Sequence, residues 1–141
     1  MKKHLLVVLA LFFLILTAAY AGSVEDKNLR NAYYSMLRST LGFSKADIAS
    51  ARNSGLGPQF CLTLLYIARE AGRPVSEAIS LRTENGWSPQ DICGEFGINF
   101  EKTVEKMIAD INKYNIQFPP ETDGEMTNNI VTGLRKAKGA K

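Results

Sequence analysis

The side chains in this chain best suited to acid–base chemistry are carboxylates, and two of them, Asp47 and Asp91, stand 44 positions apart in matching surroundings. Hydrolysis by a carboxylate pair needs the two groups on either side of a cleft, one as acid and the other as base or nucleophile. A local use competes with that role. Each Asp lies three residues after a serine, Ser44 or Ser88, which is the spacing of a helix capping box. A carboxylate in the first turn also favours the positive end of the helix. Capping accounts for both acids without catalysis and is the preferred reading.

The single histidine, His4, falls within an N-terminal segment that reads as a removable export signal. What remains then has no Ser-His or Cys-His nucleophile and no His-liganded metal site. Cys61 and Cys93 do not form a C-x-x-C pair, which argues against redox or metal chemistry. In an oxidising compartment a Cys61–Cys93 bridge and two buried thiols both fit. The sequence has no Gly-rich phosphate loop, metal-spaced cluster or haem attachment motif, and no cofactor is expected.

A repeat positions these residues. Leu37 to Ala49 lies over Leu81 to Cys93 with six identities (Leu, Arg, Gly, Ser, Asp and Ile) and conservative swaps that include Phe43 for Trp87. Each copy reads as a helix ending at Leu-Arg, a glycine stop, an aromatic residue, a Ser cap, and a short helix with Asp in its first turn. Pro89 at the first helical position of the second copy agrees with this, since its missing N–H has no partner there in any case. The repeated Arg38 and Arg82 are placed to pair with the acids of their own units, a surface contact worth about 0–1 kcal/mol. Phe43 and Trp87 read first as core packing and second as the floor of a ligand or partner groove.

Extending the periodicity gives an all-α chain: a compact bundle of six to seven short helices built from two helix-turn-helix-like repeats. The first helix is expected over 24–40 with Leu29, Ala32, Tyr33, Met36 and Leu37 inward. The others are expected over 44–54, from Pro58 to Gly72, from Pro74 to Glu84, over 88–96, and from an Asn99 cap with Val104, Met107, Ile108 and Ile111 as the buried stripe. The helical domain is drawn at 22–115, and 116–141 is read as a proline linker, a short amphipathic helix around Met126, Ile130, Val131 and Leu134, and a basic tail.

Two resemblances follow from these residues. Gly86 to Ile98, continued by the helix from Asn99, resembles a helix-turn-helix. As a DNA reader it would present Glu101, Lys102, Glu105, Lys106 and Asp110, more acids than bases, to the phosphates, so no nucleic-acid partner is expected. More broadly, the stretch from Tyr34 to Ile111, with its aromatic-Ser-x-x-Asp-Ile units, the segment Ile67 to Val75, and Gly86-Trp87, resembles small exported bacterial helical proteins of uncharacterised activity. That resemblance implies a scaffold and a periplasmic setting, and transfers no functional residues.

Export is also read from Lys2-Lys3, the apolar run Leu5 to Thr17 and the Ala19-Tyr20-Ala21 exit, so residues 1–21 are expected to be a cleavable signal and the working protein periplasmic or secreted. The full chain has 17 bases and 14 acids; without Lys2 and Lys3 the balance is 15 to 14. Arg135, Lys136, Lys138 and Lys141 concentrate the remaining excess at the C-terminus, where a weak contact with an anionic surface competes with simple solvation. The reading is a non-enzymatic binding module for another protein or an envelope component. The alternatives are a small carboxylate-dependent hydrolase and, behind it, a DNA-binding protein.

Overall fold

Two glycines in the left-handed region, Gly42 at φ +74° and Gly86 at φ +68°, end helices in the same manner. In each case the amide of the following aromatic reaches back to the leucine carbonyl at the helix end, Phe43 to Leu37 at 3.1 Å and Trp87 to Leu81 at 3.2 Å. This closing pattern needs positive φ, which a residue with a Cβ adopts at a cost. Serine then starts the next helix: the Ser44 side chain accepts from the Asp47 amide, and the Ser88 side chain accepts from the Asp91 amide.

The computed structural model describes residues 27–120, and within them the protein is all-helical with no strands. The helices are α1 (27–39), α2 (Lys45–Arg52), α3 (Pro58–Ala71), α4 (Val75–Asn85), α5 (Pro89–Phe96) and α6 (Phe100–Lys113). α2 and α5 each have 8 residues, and α3 and α6 each have 14. The expected signal, the amphipathic segment from Met126 to Leu134 and the basic tail lie outside the described residues.

The core is built around α3. Every residue from Phe60 to Ala68 is buried, and the helix packs against α2, α4, α5 and α6. A helix that is apolar on all sides must be surrounded, which is why α3 lies at the centre of the bundle. The polar Thr63 in this stretch satisfies its hydroxyl by donating to the Gln59 carbonyl at 2.9 Å. α6 is amphipathic instead and turns Thr103, Val104, Met107, Ile108 and Ile111 inward beneath an exposed charged face. Its Asn99 cap accepts from the Lys102 amide at 2.9 Å.

α1 corrects one expectation. Leu29 is 48% exposed and Ala32 also faces outward, whereas Tyr33, Tyr34 and Leu37 are buried. Tyr33 and Leu37 face inward as expected, and Tyr34 joins them in place of Leu29 and Ala32 because its ring packs on that of Tyr33 and lies beneath the Arg52 guanidinium. Tyr33 donates its hydroxyl to the Pro58 carbonyl at 2.9 Å, and Tyr34 packs edge-on against Tyr33 at 5.2 Å. The stretch read as the beginning of a linker is also packed on the body. Ile116 and Pro119 are buried, Phe118 lies 5.6 Å from the Tyr33 ring, and Arg30 donates to the Pro120 carbonyl at 3.0 Å.

Candidate functional site

Asp47 and Asp91, equivalent in sequence, do different jobs. Asp91 completes a capping box within its own helix: its Oδ2 accepts from the Ser88 amide at 3.1 Å and from the Ser88 hydroxyl at 2.8 Å. Asp47 instead reaches out of its unit and accepts from the Val75 amide at 3.1 Å, the first residue of α4. Pro74, the residue before it, has no side-chain oxygen with which to cap that helix. Each carboxylate is thus directed at a helix N-terminus, and neither is aimed with the other across a cleft.

The repeated arginines do not pair with these acids. Arg82 donates to the Gly86 and Trp87 carbonyls, both at 3.3 Å, and its guanidinium sits 4.9 Å from the Phe60 ring. At the first turn the carbonyl of Leu41 is served by Arg69 of α3 at 2.7 Å. Arg69 also lies 4.1 Å over Phe43 and 4.8 Å over Tyr66, and Phe43 and Tyr66 meet edge-on at 5.3 Å. Phe43 is therefore covered, at 4% exposure, and does not form the floor of a surface groove. Trp87 is half-buried against the core. Tyr66 donates to Asp110 Oδ2 at 2.6 Å, and burial followed by this acid holds its hydroxyl well above the ordinary tyrosine range.

No bridge joins Cys61 to Cys93; both are buried thiols. Cys61 Sγ faces the α2 side of α3, 3.2 Å from the Ala51 carbonyl and 3.4 Å from that of Leu56, and α5 carries Cys93 on another flank. Burial pushes the Cys93 thiol up to about 11. Among the described residues no three His, Cys, Asp or Glu side chains gather where an ion could be held. Arg135, Lys136, Lys138 and Lys141 lie outside the described residues.

Among the described residues one open groove lies between α1 and α2 and another between α4 and α5. The α1–α2 groove, about 300 Å³, is lined by Asn31, Tyr34, Ser35, Arg38, Lys45, Ile48 and Arg52, with three cations and no acid. The α4–α5 groove, about 420 Å³, includes Glu77, Glu84, Glu95, Arg73 and Phe96. Its one cation is already committed, Arg73 to Glu77 at 3.1 Å and over the Phe96 ring at 4.8 Å. Arg52 and Phe96, 44 positions apart, close corresponding ends of the two grooves. Arg52 lies 5.0 Å over Tyr34 and donates to Asn31 at 2.6 Å.

Among the described residues no ion pair involves Arg38, Lys45 or Arg52. Total charge concealed these grooves, but the charge of each half reveals them. Residues 27–72, spanning α1 to α3, hold six bases (Lys27, Arg30, Arg38, Lys45, Arg52, Arg69) and two acids (Asp47, Glu70), whereas residues 73–113, spanning α4 to α6, hold five bases and seven acids.

Comparison of the chain with protein-family models, with curated proteins and with solved structures gives no match. Among the described residues no helix is long and apolar enough to cross a membrane.

Proposed function

We propose that this protein is an exported, non-enzymatic binding module whose basic α1–α2 groove receives an acidic stretch of a protein partner. The observation that carries the reading is a groove holding three cations and no acid, on a chain whose bases and acids otherwise nearly balance. Clustered charge of one sign steers an oppositely charged segment and sets specificity. Arg52 also brings a planar guanidinium suited to bidentate contact with a carboxylate. We read the two three-helix halves as copies of one unit that kept the scaffold and diverged in groove charge. Export rests on the sequence of residues 1–21.

The test is fluorescence anisotropy of a labelled oligoglutamate peptide with the full chain at low and high salt. Binding that weakens as salt rises, is lost in R38E/R52E and survives in E77K/E84K supports the proposal. Binding that ignores R38E/R52E would remove the groove from consideration. A hydrolase reading, by contrast, requires Asp47 and Asp91 to share a substrate, and their separate attachments to two helix ends argue against it.

A further inference from the structure

The positions that line the α1–α2 groove recur 44 residues later on α4 and α5, where the preceding helices cover them. Asn31, Ser35, Arg38, Lys45 and Arg52 are all exposed, whereas their counterparts Val75, Ile79, Arg82, Pro89 and Phe96 are each buried or partly buried. At the floor, Tyr34 and Ile48 correspond to Ala78 and Ile92, both 0% exposed. The helix lying across this face is α3: it packs against both α4 and α5, and its Phe60 ring sits 4.9 Å from the Arg82 guanidinium. The open acidic groove between α4 and α5 is lined by another stripe of α4, with Glu77, Ser80 and Glu84. The last helix of the first unit is thus seated on the first two helices of the second. Among the described residues the equivalent face of the first unit stays open.

We infer that the α1–α2 face is the seat for an acidic helix of another protein, which lies across it as α3 lies across α4 and α5. The inference deepens the binding reading and rests on the groove being a site for acidic segments. A helix docks in a groove through anchors on one of its faces. On α3 such a face carries Phe60 and, seven positions on, Ile67. Phe60 meets Arg82 toward the end of α4, and the short turn after α3 brings its last residues beside the start of α4. Arg38 stands where Arg82 does, so an acid at the Phe60 position of an incoming helix meets Arg38 and Lys45. An acid seven positions later meets Arg52, which donates to Asn31 at 2.6 Å toward the other end of the groove. Asn31 and Arg38 are themselves seven residues apart on α1, roughly 10 Å at ~1.5 Å per residue, so the two spacings agree. A terminal unit needs only a polar outer face to stay soluble, and three bases without an acid go beyond that need.

A second copy of the chain does not fit this seat. α6 stands in the second unit where α3 stands in the first: each has 14 residues, and their first residues, Pro58 and Phe100, are 42 positions apart. At that offset Phe60, Leu64, Ile67 and Ala71, which share one face of α3, become Lys102, Lys106, Ala109 and Lys113. A copy offering that face of α6 to the groove would set three lysines against Arg38, Lys45 and Arg52. Like charges across an interface suppress the wrong partner. The helix that would continue the stack is therefore repelled, and the open seat is kept for an acidic helix of a different chain.

The probes are labelled, alanine-based helical peptides of the length of α3, stapled on the face away from the groove, with two glutamates seven positions apart in one and five apart in the other. Fluorescence anisotropy with the full chain should show the first binding at least tenfold tighter, because a spacing of five turns the second acid ~140° away from the first. R38E/K45E/R52E should lose this binding and should instead bind the same helix with lysines for its glutamates, a rescue that an unfolded variant cannot give. Equal binding of the two spacings, or a preference that survives R38E/K45E/R52E, overturns the helical seat. If oligoglutamate still binds and is lost in R38E/R52E, the acidic-segment reading stands without it. No binding of oligoglutamate or of either helix overturns both. Sedimentation of the full chain at micromolar concentration should find a monomer, and self-association abolished by R38E/K45E/R52E would overturn the assignment of the seat to a different chain.

Discussion

Replacing Asp47 by alanine should cost the protein more than replacing Asp91, although the two occupy equivalent sequence positions. Asp47 is half-buried, and its carboxylate accepts the amide of Val75, a residue with no exposed side-chain surface, at the uncapped start of α4. Removing the acceptor leaves a partly buried amide unpaired, a loss of about 1–3 kcal/mol, and also takes a negative charge from a helix N-terminus. Asp91 is exposed, and its bonds to Ser88 are at the surface, where water replaces them. The cost there belongs at the lower end of the capping range, about 0.5–1 kcal/mol. The gain in helix propensity from Asp to Ala is common to both sites and cancels in the comparison. Urea unfolding followed by circular dichroism should therefore show D47A destabilised by about 1 kcal/mol more than D91A, roughly 4–8 °C when expressed as Tm for a domain of this size. D47N keeps one acceptor oxygen and should recover much of the loss. Equal costs, or a larger one for D91A, would refute the assignment of Asp47 to α4.

Arg69→Ala should destabilise the protein by about 1–2 kcal/mol, since it removes a charge-assisted bond to the Leu41 carbonyl and the cation's contacts with Phe43 and Tyr66, and Arg69→Lys should recover less than half of this because the planar fork is lost. Urea midpoints of the two variants check it. Cys93 titrates higher in the folded protein, at about 11, than its ordinary value of 9.0. Its contribution is therefore complete below about pH 9 and declines as pH rises toward 11, because the unfolded chain releases that proton first. Urea midpoints measured from pH 8 to 10.5 should fall, and Cys93→Ala should flatten that limb relative to the parent.

The helices were legible because their signals are local. Ser44, Ser88 and Asn99 as caps, Gly42 and Gly86 as stops, and Pro58 and Pro89 as first residues all act within a few positions of themselves. The stripe on α6 followed from helical spacing for the same reason. The second partner of Asp47 did not, since it depends on a contact spanning 28 positions that no short-range pattern records. On α1 the burial of Tyr33 and Leu37 followed from the spacing, but that of Tyr34 in place of Leu29 did not, because it depends on the Tyr33 ring beside it and on the Arg52 guanidinium of another helix lying over its face. An even number of cysteines invited a bridge, but sequence distance says nothing of which flank of a surrounded helix each sulfur faces. The grooves went unread because charge was summed over the whole chain instead of over each half.

The surrounded helix α3 also governs what happens when the fold is lost. Phe60 to Ala68 is nine residues without a charge, a proline or a glycine, rich in aromatic and aliphatic side chains, and all of it is hidden in the native state. In an unfolded chain the same run has the composition of a segment that pairs with its own copies as extended strands. Arg69 and Glu70 end it as charged gatekeepers on one side only, since Gly57, Pro58 and Gln59 on the other carry no charge. Heating at high concentration should thus end in aggregate instead of a reversible transition, with an apparent midpoint that depends on scan rate. Any cell that exports this chain unfolded must keep that nonapeptide apart from its neighbours until α2, α4, α5 and α6 close over it.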